Sequence, residues 1–187
     1  MIFDLPTSLD VGGTSWEIRT DYRDILTVIQ AFEDVELESS EKAYVCMTIV
    51  FKDFDRMPEE LYEEAFNAAM KFIDCGDTDD KKPHSKKNMD WEQDANLLFP
   101  AVNKVAGFEV RSVEYMHWWT FMGYFMEINE GVYSTVLSLR SKKNKGKKLE
   151  KWEKQWWNEN KSICELKKRY TEAEKAEQKA LKALLGG

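Results

Sequence analysis

Between Ser112 and Asn129 the apolar and aromatic side chains fall on nearly every side of a helical wheel: Tyr115, Trp118, Trp119, Phe121, Met122, Phe125, Met126 and Ile128. A helix that is apolar all round has no face to turn to water. The pattern therefore predicts a central helix enclosed by other helices and constrains the whole chain to a helix-packed core. Its one imidazole, His117, reads most simply as a hydrogen-bonded core residue, with a ligand or base as the alternative.

A second tryptophan-centred segment, Asp90-Trp91-Glu92-Gln93-Asp94-Ala95, lies a helix and a turn upstream. Asp90 followed three residues later by Gln93 has the spacing of a capping box. Trp91, Ala95, Leu98, Val102 and Val105 then form one stripe of an amphipathic helix. Glu92 points away from that stripe and Asp94 sits at its edge, where it can reach a polar group on a neighbouring helix. His117 is the expected partner, in a structural bond.

The rest of the body reads as helices after a short ribbon. Gly12-Gly13 between Leu9-Asp10-Val11 and Thr14-Ser15-Trp16-Glu17-Ile18 suits a two-residue hairpin turn. Asp21 starts a helix carrying Tyr22, Ile25, Leu26, Ile29 and Phe32, and Ser39 or Ser40 starts another with Ala43, Cys46, Met47, Val50, Phe51 and Phe54. Pro58 stands just inside a third, whose stripe is Leu61, Ala65, Ala68, Ala69, Phe72 and Ile73. Glu59, Glu60, Glu63 and Glu64 crowd its first turns, where the helix dipole favours negative charge, and no histidine is spaced to make them a metal cluster. From Gly76 to Asn88 nothing apolar is available for burial, which predicts an exposed connector.

After Gly131 a shorter helix is expected to end near Arg140, with Ser141 to Lys148 as a hinge. Beyond it the chain has no proline, and no glycine until Gly186. That predicts one helix of more than about thirty residues, or two broken near Asn158 to Ser162. Its seam runs through Leu149, Trp152, Trp156, Ile163, Leu166 and Tyr170, then weakens to alanine. Such a seam suits a coiled coil or a partner, and Trp152, Trp156, Ile163, Leu166 and Tyr170 are the candidate partner-binding residues; the rival is that it folds back on its own domain. Lysines interleave with Trp152, Trp156 and Trp157 as they do on single-strand-binding surfaces, although packing is the simpler use of those rings.

Charge divides the chain at the same place. From Lys142 onward 14 Lys and Arg stand against 7 Glu, a net of +7; of the 27 basic and 34 acidic residues this leaves 13 and 27 for residues 1–141, a net of −14. The expected architecture is mainly α: a compact acidic helical domain with a small N-terminal β-hairpin over 1–141, and a basic helical arm with a long C-terminal helix over 142–187. The basic arm suits an acidic partner, the acidic body of a neighbouring copy, or nucleic acid. No stretch approaches the roughly 20 apolar residues of a membrane span, and the N-terminus lacks a signal layout, so a cytoplasmic protein is expected. Cys46, Cys75 and Cys164 are odd in number and far apart, which argues against a disulfide framework and a zinc site. With two histidines, no phosphate loop, no nucleotide-binding glycine motif and no nucleophile elbow, no enzyme, metal or cofactor is expected.

Both tryptophan segments resemble a family of bacteriophage tail-morphogenesis proteins of siphophages and prophages of Gram-positive bacteria, named after the fifteenth gene product of its type phage. The resemblance rests on Asp90, Trp91, Glu92, Gln93 and Asp94, on His117, Trp118, Trp119 and Phe121, and on Arg140 in Ser134-Thr135-Val136-Leu137-Ser138-Leu139-Arg140. It implies a role in building the tail, as an assembly chaperone for the tape-measure protein in the host cytoplasm, with a structural tail or connector component as the alternative. It carries no catalytic residues over.

Overall fold

The computed structural model describes residues 4–76 and 86–184. Residues 77–85, most of the expected connector, lie outside the described residues.

The chain is mainly α. It opens with the expected hairpin, β1 (Ser8–Val11) paired antiparallel to β2 (Thr14–Glu17), with Val11 opposite Thr14. Gly12 and Gly13 take φ of +59° and +72°, the left-handed conformations that a two-residue turn requires and that only glycine adopts cheaply. A Cβ on Gly12 would also lie 2.7 Å from Leu61 Cδ2. The hairpin thus sits tightly on the helix that follows Pro58, and the Gly12 N–H donates to Glu64 there.

Helix α1 (Tyr22–Glu33) starts at Asp21, whose carboxylate accepts the Arg23 N–H. Helix α2 (Ser39–Val50) opens with a capping box between Glu38 and Glu41. It stops at Val50 rather than running on to Phe54, which belongs to a separate 3-10 turn. Helix α3 (Tyr62–Ile73) follows a 3-10 turn at Glu59–Leu61, with Pro58 just ahead of that turn. Helix α4 (Ala95–Ala106) ends at Gly107 in the left-handed conformation. Helix α3 packs on the hairpin and on α2, α2 packs on α1, and α4 and α5 (Trp118–Met126) close the other side of the core against α1.

The central helix is shorter than its sequence pattern predicts. Ser112 ends a 3-10 turn and residues 113–116 are not helical, because Tyr22 N donates to Met116 O at 2.9 Å and Trp118 N to Thr20 O at 2.7 Å, an isolated antiparallel bridge that holds this stretch extended beside the start of α1. Only one side of α5 is enclosed. Trp118 and Phe121 are buried at 1% and 0% exposure, whereas Met126 is 68% exposed. The buried rings stack on one another and on Tyr22, whose centroid is 4.5 Å from that of Phe121. Each such ring contributes about 1.5–3 kcal/mol by leaving water.

Helix α6 (Val132–Asn144) runs through the point where the basic region begins. The stretch beyond it is three helices: α7 (Lys151–Glu159), α8 (Lys161–Cys164) and α9 (Glu172–Leu184). The break at Asn160 falls where a division was expected. A second interruption, the extended segment Glu165–Tyr170, removes the possibility of one continuous seam. The rival reading prevails as far as Tyr170. Val136, Leu139, Trp157 and Cys164 form a small core of their own, flanked by Leu97, Leu149, Trp156 and Ile163. Helix α9 touches the body at its start, where the Glu172 N–H donates to Glu36, and every described side chain along it is exposed.

Among the described residues no helix is long and apolar enough to cross a membrane, and no group of His, Cys, Asp and Glu is arranged to hold a metal. All three cysteines are free thiols. Burial pushes the Cys46 thiol up to about 12, as expected of a small core side chain.

Candidate functional site

The residues that carry the family resemblance sit at junctions between helices. His117 is the N-cap of α5: its Nδ1 accepts the Trp119 N–H at 3.1 Å, and its Nε2 lies 3.0 Å from the Pro6 carbonyl. The first contact needs a bare Nδ1 and the second an Nε2–H, so the ring is neutral and in a single tautomer. The next two residues serve the far end of another helix. The Trp118 indole donates to Ile73 O at 2.8 Å and the Trp119 indole to Phe72 O at 2.9 Å. These are among the last carbonyls of α3, which have no intrahelical donor, so the tryptophan pair caps a C-terminus.

Asp94 does not meet His117. Its carboxylate forms a fork with Arg140 instead, Nη1 to Oδ2 at 2.7 Å and Nη2 to Oδ1 at 2.9 Å, with both side chains almost fully buried. Arg140 spends its other N–H groups on Asn88 O at 3.1 Å, Ile163 O at 2.8 Å and Cys164 O at 2.8 Å. All five donors of the guanidinium are used, which is the condition for a charge to be tolerated inside.

Asp90 caps a turn rather than the first turn of α4. Residues 91–94 form turns and α4 begins only at Ala95, while Asp90 Oδ1 accepts the N–H groups of Glu92 and Gln93. Its own N–H goes to Asp94 Oδ2 at 3.0 Å. Lys87 and Arg169 also hold its carboxylate, at 3.0 Å each. Burial pushes this carboxyl up, but the hydrogen bonds from Gln93, Lys87 and Arg169 prevail and keep it well below the usual carboxylate range. Gln93 clamps the C-terminal segment, donating to Lys167 O at 3.0 Å and accepting the Lys167 N–H at 2.8 Å. Glu92, exposed, pairs with Arg169. Trp91 packs on Trp118, Phe121 and Phe125. Taken together, these residues assemble helix ends and bury charge in matched pairs.

The candidate partner-binding residues divide. Trp156, Ile163, Leu166 and Tyr170 are half-buried against the body, and Trp152 is 58% exposed. Trp152 stands at one end of a surface that sequence periodicity does not mark. An open groove of about 1210 Å³ runs between α4 and the α5–α6 connection, lined by Leu97, Pro100, Ala101, Val105, Ile128 and Val132. It shares Asn129, Glu130, Gly131 and Ser134 with a shallower trough that continues past Thr135 and Ser138 to Trp152. Val105 and Val132 are 37% and 53% exposed on its walls. Pro100 lies inside α4 and has no N–H for the Asn96 carbonyl, and both residues line the groove. That proline, in an otherwise regular amphipathic stripe, was the sequence signal for this wall. The groove offers apolar side chains and a backbone acceptor, which is chemistry for binding.

No curated protein and no solved structure matches the chain. A family model described as Bacteriophage Gp15 protein matches residues 1–181, and the chain belongs to that family of bacteriophage proteins.

Proposed function

We propose that this phage protein is a non-catalytic tail-assembly chaperone that holds apolar helical segments of the tape-measure protein until tail-tube subunits take them over. The observation that carries this reading is the groove between α4 and α6, continued to the exposed Trp152. A groove with apolar walls and a polar rim suits the apolar face of an amphipathic helix laid along it. Exposed apolar surface of this kind is costly to leave in water unless a partner covers it. The half-buried seam residues beyond Trp152 then hold that wall in place while Trp152 makes the contact.

Co-expression with the neighbouring tape-measure protein, affinity purification and sizing at moderate salt tests the reading. The wild-type chain keeps its client in a soluble complex, and V105E, V132E and W152E variants lose it while remaining folded. A complex that survives all three substitutions would sink the groove as its site. Many copies of the chain in purified particles would instead favour a structural tail or connector component.

A further inference from the structure

The charge asymmetry resolves in three dimensions into two unneutralised patches that do not touch. The basic one is a concavity of about 590 Å³ with Trp157 in its lining and Lys143, Lys147, Lys148, Lys154 and Lys161 around it. Lys143 covers the Trp157 ring at 3.8 Å. Among the described residues no carboxylate pairs with Lys143, Lys147, Lys148 or Lys154; Lys161 has Glu165 at 3.7 Å. Lys143 lies in the last turn of α6, where the helix dipole favours a cation, but Lys147, Lys148 and Lys154 have no such support. The acidic patch is a ridge at the start of α3, where Asp55, Glu59, Glu60 and Glu63 are all exposed. None of the four pairs with a described basic residue.

Elsewhere some charges are matched in clusters, Arg169 alone serving Glu33, Asp90 and Glu92. What sets the two patches apart is the like charge gathered in each: five lysines around one concavity, and four exposed carboxylates between residues 55 and 63. They cannot relieve each other within one chain, because α3 packs against α2 and the hairpin while the lysines ride on α6, α7 and α8. We propose that the lysine concavity of one copy seats the acidic ridge of a second copy, head to tail. Lysines are compact, mobile point charges that accept a ridge of carboxylates without a fixed fork geometry. The concavity also lacks what a single-strand-binding surface needs: Trp157 is only 8% exposed and already covered by Lys143, and the exposed Trp152 lines a different trough. A contact between two different patches is heterologous, so it propagates into a ring or a filament of copies.

Sedimentation at low and high salt, with two charge-reversed variants, tests this. The wild-type chain sediments above its monomer mass of 21.9 kDa at low salt and returns to it at high salt, as charge screening requires. The variant K147E/K148E/K154E and the variant E59K/E60K/E63K are each monomeric, with unchanged far-UV circular dichroism. Mixed together they assemble again as alternating copies, because the acidic ridge of the first variant meets the lysines of the second and the reversed ridge of the second meets the reversed concavity of the first. A wild-type chain that stays monomeric at low salt, or a lysine-reversed variant that still assembles, would overturn the proposal. So would short duplex DNA that binds the wild-type lysines while the chain itself remains monomeric.

Discussion

Asp94 and Arg140, 46 residues apart in the chain, meet in a two-pronged ion pair almost fully withdrawn from water. Because Arg140 also holds Asn88, Ile163 and Cys164 through their carbonyls, this one guanidinium joins the turn before α4, helix α6 and the end of α8.

Removing one member leaves the other charged and alone. Asp94→Leu or Arg140→Met is expected to destabilise the fold by about 3–5 kcal/mol, and the double variant Asp94→Leu/Arg140→Met by clearly less than the sum of its parts. Urea unfolding of all four proteins measures the coupling. Additive losses would mean that the two charges do not depend on each other.

Asp90 predicts a pH dependence. Its folded carboxyl sits below its unfolded value, so the stability it contributes is fully present above about pH 4 and is lost progressively as the pH falls below that. Asp90→Asn lacks this contribution. Wild type should therefore be the more stable at pH 7, with the gap narrowing between about pH 4 and pH 2. A gap that stays constant on acidification would contradict the assignment.

His117 predicts a tautomer and a cap. Nitrogen NMR should find the proton on Nε2, facing Pro6, and a bare Nδ1 facing the Trp119 amide. His117→Ala should cost about 1–2 kcal/mol through the lost cap, and His117→Asn less, since asparagine caps helices well. Equal losses in the two variants would show that the cap is not what the ring contributes.

The terminal helix α9 predicts an indifference. A chain ending at Thr171 keeps the Arg169 and Gln93 contacts and loses exposed side chains and one exposed bond, from the Glu172 N–H to Glu36, so its unfolding free energy should change by less than about 1 kcal/mol. Thermal and urea melts compare the two lengths, and a large loss would reveal packing that α9 does not display here.

What the sequence disclosed and what it withheld divide by range. The Gly12-Gly13 turn and the helix starts at Asp21 and Ser39 were legible, because turns and caps are decided by residues within four positions of one another; Pro58 marked the approach to α3, with a 3-10 turn between them. The extended stretch before Trp118 was not, since its conformation is imposed by Thr20 and Tyr22 from the other end of the body. The partner of Asp94 was equally hidden: a carboxylate at the edge of a helical stripe suits an imidazole or a guanidinium, and only tertiary packing chooses. One local signal was there to be used. Thr171-Glu172-Ala173-Glu174 has the spacing of a capping box, and the structure forms it, with Glu174 N on Thr171 Oγ1 and Thr171 N on the Glu174 carboxylate. It marks a fresh helix start inside what reads as one continuous seam.

The far-reaching bonds of the last segment set an order of events. Asp90 and Asp94 are synthesised well before Arg140 and Arg169, and the bond from Arg169 to Glu33 spans 136 residues. A nascent chain therefore carries Asp94 without its cation until Arg140 is made, and Asp90 with Lys87 alone until Arg169 is made. A product truncated before residue 140 would hold Asp94 without its partner, and such a chain is expected to be less stable than one that includes Arg140. Residues 140–169 thus act as a latch drawn across carboxylates laid down earlier in the chain.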